Sequence, residues 1–227
     1  METTSNYRFT ESFYMPRQMH YGNNFYEFIS AKTQKHIQCY STLEYYNAIC
    51  LEMDHNVEYY LPQIGSFEVR DDNGELFHIA PDVYVYYRDD VEEIQEVKYY
   101  RETVDTDDQS LRSQRQIKLE RQWAYSNGMK FDVRTEKKII KNRFQMANLI
   151  WMYGHVSQYS NVKYADYCNH IKDILSDGGK VSIRDIALML KVNEYTAMTT
   201  VSQMYSQGLI SMNIEERQIN LDTGVTL

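Results

Sequence analysis

Apolar and polar positions sort the first part of the chain into short strands and two long helices. Residues 25–30 and 35–40 predict a strand pair around the polar turn Ala31 to Gln34, and the segment before them reads as loops and short strands. Ser41-Thr42-Leu43-Glu44 sets a hydroxyl cap three residues ahead of a glutamate. Leu43, Tyr46, Cys50 and Met53 follow at helical spacing, which predicts a helix ending near Asp54. Strands are expected over 57–61 and 64–70, broken at Pro62, with a turn at Asp71-Asp72-Asn73-Gly74. Two more are expected over 76–87 and 93–100, joined by the polar stretch 88–92. A second helix spans 107–127, with Asp107 and Asp108 at its positive end and Gly128 as its stop, and 131–134 is one further strand. This order predicts an α/β fold, a mixed sheet with helices on its faces.

From about residue 138 the pattern turns helical, over 139–153 and 164–175, until Asp177-Gly178-Gly179. A short helix at 182–190, the turn Lys191-Val192-Asn193, a helix at 194–207 and two short strands complete the chain. Two helices joined tightly and followed by a hairpin are the pattern of a winged helix. We therefore expect two domains, 1–138 and 139–227.

Composition narrows the class. At 227 residues, 43% hydrophobic and 25% charged, the chain has room for one large domain or two small ones. Tyrosine supplies 21 residues against 8 Phe and 2 Trp, implying many half-buried surfaces. Cys39, Cys50 and Cys168 form no Cys-x-x-Cys pair, and the six histidines lack ligand spacing, so neither a disulfide framework nor a zinc site is expected. The start lacks the apolar core of a signal peptide and no stretch is long enough to span a bilayer, so we expect a cytoplasmic protein without membrane attachment.

One spacing carries chemistry. Pro81-Asp82 is followed, after thirteen intervening residues, by Glu96-Val97-Lys98. A hairpin turning at Asp89 or Asp90 sets Asp82 opposite Glu96 or Lys98, and strand alternation points Glu96 and Lys98 to the same side. Two such carboxylates can hold Mg²⁺, and the neighbouring ammonium can orient water or offset transition-state charge, which is equipment for cutting a phosphodiester. A solvated sheet edge ending in lysine is the competing reading of the same residues. Likewise, Glu44 could simply reciprocate the Ser41 cap.

The net charge of −8 argues, taken whole, against a nucleic-acid partner. Split by position it says something else. Residues 40–98 hold fourteen acids against Arg70, Arg88 and Lys98, whereas 112–143 hold ten basic side chains against Glu120, Asp132 and Glu136, a local +7. Arg112, Arg115, Lys118, Arg121, Lys130, Lys137 and Lys138 are the candidate DNA phosphate contacts. Residues 177–227 carry four basic residues against six acids, and 194–207 contain no Lys or Arg, so the C-terminal unit is expected to dock on protein more than to read bases.

An acid early in a first helix, Asp on one strand, Glu-x-Lys on the next and then a basic helix is the layout of the restriction-endonuclease-like, PD-(D/E)xK superfamily. Ser41-Thr42-Leu43-Glu44-Tyr45-Tyr46, Pro81-Asp82, Glu96-Val97-Lys98 and Lys118-Leu119-Glu120-Arg121-Gln122-Trp123 together resemble the TnsA-like endonuclease subunit of heteromeric transposases. The resemblance implies a restriction-endonuclease-like domain followed by a helical, winged-helix domain. It implies that Asp82, Glu96 and the Val97 carbonyl bind Mg²⁺, with Mn²⁺ as a substitute, that Lys98 is the catalytic lysine, and that Glu44 supports a second metal. Some members of that family have Gln where this chain has Glu96.

The function it implies is cleavage of the 5′, non-transferred strands at transposon ends during DNA transposition, beside a DDE-type transposase and an AAA+ ATPase regulator. A stand-alone restriction or repair nuclease and a non-enzymatic winged-helix regulator are the alternatives.

Overall fold

The computed structural model describes residues 7–13, 24–157 and 164–227; the loops expected over 1–6 and 14–23 lie outside these. β1 (Tyr26–Ile29) and β2 (His36–Cys39) pair antiparallel, Phe28 against Ile37. Their turn is pinned by Ser30, whose Oγ accepts from Thr33 N at 2.9 Å. α1 (Thr42–Met53) begins where expected, with Glu44 N donating to Ser41 Oγ at 3.1 Å.

Next come β3 (Val57–Pro62), β4 (Phe67–Arg70), β5 (Leu76–Ile79), β6 (Val83–Tyr87) and β7 (Glu92–Val97). α2 (Tyr100–Val104) and α3 (Asp108–Ser126) then lead to β8 (Lys130–Arg134) and α4 (Glu136–Ile139). The main sheet runs β3-β6-β7-β8, antiparallel except for β7 with β8. It is mixed because α2 and α3 carry the chain back to the start of β8 after β7, as a parallel neighbour requires.

Ile94, Tyr84, Tyr59 and Leu61 fill one face of this sheet, packed with Ala124 and Met129 and flanked by Trp123 and Phe131. On the other face Asn47 of α1 donates from Nδ2 to Gln95 Oε1 at 2.9 Å and accepts from Arg134 Nε at 3.1 Å. Consecutive β7 residues thus serve opposite layers: Ile94 packs with the end of α3, and Gln95 meets α1.

Three boundaries differ from those expected. The strand expected over 76–87 is two, because the chain leaves the β4–β5 hairpin at Ala80 and enters the main sheet at Val83. Pro81, with no N–H to give a ladder, sits at the changeover. The strand expected to reach Tyr100 ends at Val97, since the Tyr99 N–H is taken by Glu102 Oε2 at 3.0 Å, which starts α2. The long helix expected from 138 is interrupted: α4 ends at Ile139, and Asn142 Oδ1 accepts from Phe144 N and Gln145 N to begin α5 (Arg143–Ser157).

The chain divides into two compact units, one made of residues up to Ala48 with Asn56–Ile139, the other of Ile49–His55 with Ile140–Leu227. In the second, α5, α6 (Tyr164–Leu175), β9 (Val181–Ser182), α7 (Ile183–Leu190), α8 (Glu194–Ser206), β10 (Ser211–Met212) and β11 (Gly224–Thr226) follow in order. The three strands form an antiparallel sheet ordered β10-β11-β9. Ser182 caps α7, Lys191 closes it in the left-handed conformation at φ 55°, and Asn193 caps α8, so the turn is as short as the sequence indicates. Ile183, Ile186, Ala197, Val201, Met204 and Val225 are buried in this unit. Asn148 holds the stretch after β10, donating to Ile214 O and Arg217 O and accepting from Ile219 N.

Candidate active site

The register Val83 to Gln95, continued one step outward, brings Asp82 opposite Glu96, the first of the two alternatives open in the sequence. The hairpin centre is therefore Asp89. Asp82 Oδ2 accepts from Val97 N at 2.8 Å, and Lys98 Nζ stands 2.6 Å from Glu96 Oε1. Glu96 is fully buried, whereas Asp82 and Lys98 are only partly covered, so the cluster opens on their side.

α1 contributes Glu44. Its Oε2 accepts from Tyr40 N at 2.9 Å, one residue before the Ser41 cap it was expected to reciprocate. The charges of Asp82 and Lys98 both act on it, so a helix N-terminus has carried this acid to the hairpin.

α3 contributes two groups that the sequence reading left out. Gln116 Nε2 lies 2.9 Å from both Glu96 Oε1 and Glu120 Oε1. Glu120 is fully buried, as are Ile117 and Ala124 on the same helix. The available signal was an acid four residues from a glutamine on the apolar face of a basic helix; counting Glu120 only as a charge concealed it.

Four carboxyl groups therefore surround one ammonium, and each is displaced upward. Burial, then the Glu96 charge, pushes Asp82 up to about 8. Burial likewise pushes Glu96 up to about 8, against the pull of Lys98. Burial, then Asp82, takes Glu44 to about 7, and burial chiefly takes Glu120 to about 7. Burial alone would lower Lys98, but Glu96, Asp82 and Glu120 outweigh it and hold the ammonium above its ordinary value.

Such an excess of acid lacks positive charge. Among the described residues no three His, Cys, Asp or Glu side chains already converge as a metal-binding group, and Glu96 Oε1 is engaged by Lys98 and Gln116. Yet among the described residues no N–H or hydroxyl donates to the buried Oε2 of Glu96 or Oε2 of Glu120, and the two carboxyls interact with each other. Such carboxylate oxygens in a negatively charged pocket are the donor chemistry that a hard divalent cation takes.

Residues 53–136 match the family model of the TnsA-like endonuclease N-terminal domain. This segment is similar to the TnsA-like endonuclease domain. A search of curated proteins finds no match to the chain. The matched stretch contains Asp82, Glu96, Lys98, Gln116 and Glu120. Glu44 and the C-terminal unit lie outside the match.

The seven candidate phosphate contacts are all exposed. Two are tied to the β4–β5 hairpin: Arg115 Nη2 reaches Asp71 at 3.3 Å and Glu75 at 3.2 Å with its guanidinium over Phe77, and Lys118 reaches Asp72 at 2.5 Å. Lys138 pairs with Asp132, Lys137 sits 3.0 Å from the centre of the Tyr100 ring, and Arg121 lies over Phe131. Lys118, Arg121, Lys137 and Lys138 line one groove of about 540 Å³, together with Thr103, Gln114 and Thr135. Arg112 and Lys130 lie outside it. No helix among the described residues is long and apolar enough to cross a membrane.

Proposed function

We propose that this protein is a Mg²⁺-dependent endonuclease subunit of a heteromeric transposase, cutting the 5′, non-transferred strands at transposon ends. The observation that carries the reading is the cluster of Glu44, Asp82, Glu96 and Glu120 around Lys98, all but Glu44 within the segment that matches the TnsA-like endonuclease domain.

Asp82 and Glu96, with the Val97 carbonyl, would hold the cation, and Glu44 would support a second. When bound, Mg²⁺ or Mn²⁺ supplies Lewis-acid stabilisation of the phosphate oxygens and a water of lowered pKa. Lys98, held by Glu96, is placed to orient that water and offset charge developing on the phosphate. Gln116 keeps Glu96 and Glu120 in register by bridging both. The groove lined by Lys118, Arg121, Lys137 and Lys138 supplies the phosphate contacts, and Arg112 and Lys130 lie along the same basic segment.

We read the C-terminal unit as a winged helix, on its order β9-α7-turn-α8-β10-β11. Since α8 carries no Lys or Arg, that unit docks on protein, the DDE-type transposase or the AAA+ regulator. Such dependence fits a nuclease whose own DNA affinity is modest.

The test is cleavage of end-containing DNA with Mg²⁺, with and without the candidate partners, using Asp82→Ala and Lys98→Ala as controls. Partner-dependent nicking of the 5′ strands, lost in both variants, is expected. Full cleavage of plain plasmid by the protein alone would favour a stand-alone nuclease.

A further inference from the structure

A second pocket borders the acid cluster and takes no part in the chemistry above. It measures about 410 Å³ and is lined by Ser12, Phe13, His36, Gln38, Tyr40, Pro62 and Gln63. Two of its walls are each one hydrogen bond from a site carboxylate residue: Tyr40 N donates to Glu44 Oε2 at 2.9 Å, and Gln63 N donates to Asp82 O at 2.8 Å. The pocket and the acid cluster are thus joined through the main chain of Tyr40 and Gln63.

Among the described residues the lining is polar and carries no Lys or Arg, so these residues offer no cation to phosphate. His36 is engaged with Glu27 at 3.4 Å. What the pocket offers instead is carboxamide. Gln38 Oε1 accepts from Tyr40 OH at 3.2 Å, which leaves the Gln38 NH₂ group to donate. The Gln63 side chain makes no hydrogen bond to the described residues, although Gln63 is only 9% exposed. Its backbone lies in the left-handed region at φ 55°, a conformation unusual for glutamine and costly unless the surroundings enforce it. Phe13 N and Asp82 O clamp both of its main-chain groups. Aromatic rings accompany the amides: Phe13, 55% exposed, and Tyr40 line the pocket, and the ring of Phe25 lies 5.7 Å from that of Tyr40.

We infer that this pocket receives the base of a nucleotide next to the scissile phosphate, with Gln63 and Gln38 reading its edge. Carboxamides pair donor and acceptor as base edges do, and exposed aromatic faces stack on unpaired bases. The occupant is a base unstacked from its neighbours, since a paired one does not present its edge and face to a concave site. The inference rests on the nuclease reading of the adjacent cluster.

Two measurements on the full chain test it separately. Cleavage of end DNA with each of the four bases at the positions flanking the cut should show a preference of about tenfold, the discrimination of one good amide-to-base pair. Gln63→Ala and Gln38→Ala should each reduce that ratio to within about threefold of unity. Gln63→Asn tolerates the left-handed backbone and should restore part of it, separating loss of the amide from disturbance of the loop. Binding is read without Mg²⁺, as quenching of 2-aminopurine walked along a short DNA single strand; one position should quench strongly, and Gln63→Ala should abolish this.

No base preference at any flanking position would overturn the inference, as would a ratio and quenching unchanged in both alanine variants. Cutting with unaltered preference removes the pocket and leaves the nuclease standing. Gln63-dependent quenching in a protein that cuts nothing keeps the pocket and removes the nuclease.

Discussion

Lys98 and Glu96 point to the same side of one strand, their charged atoms 2.6 Å apart, with the carboxylate fully buried and the ammonium partly open. An ion pair in this position does more than neutralise a charge. The ammonium also acts by its charge on Asp82 and Glu44, while Gln116 donates to the same Oε1 of Glu96.

Removing that ammonium should therefore disable chemistry more than folding. In Lys98→Met the remaining acids can stay protonated, so the protein folds, while single-turnover cleavage falls by about 10²- to 10³-fold. A loss below about fivefold would remove Lys98 from the reacting centre.

The raised carboxyl pKa values set a pH dependence. Between their ordinary range and about 7 to 8, the folded state holds more protons at Glu44, Asp82, Glu96 and Glu120 than the unfolded chain does. Stability in EDTA is then fully present below the unfolded carboxylate values and is lost as pH rises toward about 8. Because bound Mg²⁺ displaces those protons, its stabilising effect should be larger at the alkaline end. Thermal melts across this window, with and without Mg²⁺, check both signs; a metal-free Tm that climbs with pH would contradict them.

Glu120→Gln separates stability from catalysis. It removes a buried carboxylate with an oxygen to which no N–H or hydroxyl of the described residues donates, so metal-free stability near pH 8 should rise by on the order of 1 to 3 kcal/mol. Cleavage should drop, because Glu96 loses the acid that shares Gln116 with it. Calorimetry beside a nicking assay measures the two.

The basic residues should divide by their partners. Lys137→Ala with Lys138→Ala should weaken binding to all DNA sequences and reduce the salt slope by about 1 per lysine removed. Arg115→Ala should leave that slope nearly unchanged and instead loosen the β4–β5 hairpin, since its guanidinium is engaged by Asp71, Glu75 and Phe77. Binding titrations over a range of salt distinguish these outcomes.

Asn47 is the structural counterpart on the opposite face. It satisfies both Gln95 and Arg134, so Asn47→Ala should cost about 1 to 3 kcal/mol of stability, with the metal dependence of cleavage retained. Denaturant unfolding measures the cost.

How much of this was legible in the chain follows from which interactions are local. The Ser41 cap of α1, the Asp107 cap of α3 and the short turn before α8 depend on side chains within three residues of the backbone they bind, and all were readable. The split at Ala80 to Asp82 was marked only by Pro81, and pairing partners distant in sequence assign its two halves to two sheets. The short helix α2 was hidden for a different reason: Glu102 reaches back to Tyr99, a position the strand pattern had claimed.

For the site, alternation in Glu96-Val97-Lys98 and the hairpin arithmetic from Asp82 determined which three side chains share a face, since strand geometry has a period of two whatever surrounds it. Only the tertiary structure decided that Glu120 and Gln116 join them. An acid on a helix is a surface charge or a buried one according to what the helix packs against, and α3 packs against β7. The same packing turned a chain with eight excess negative charges into one that gathers four acids around Lys98 and leaves its basic side chains outside.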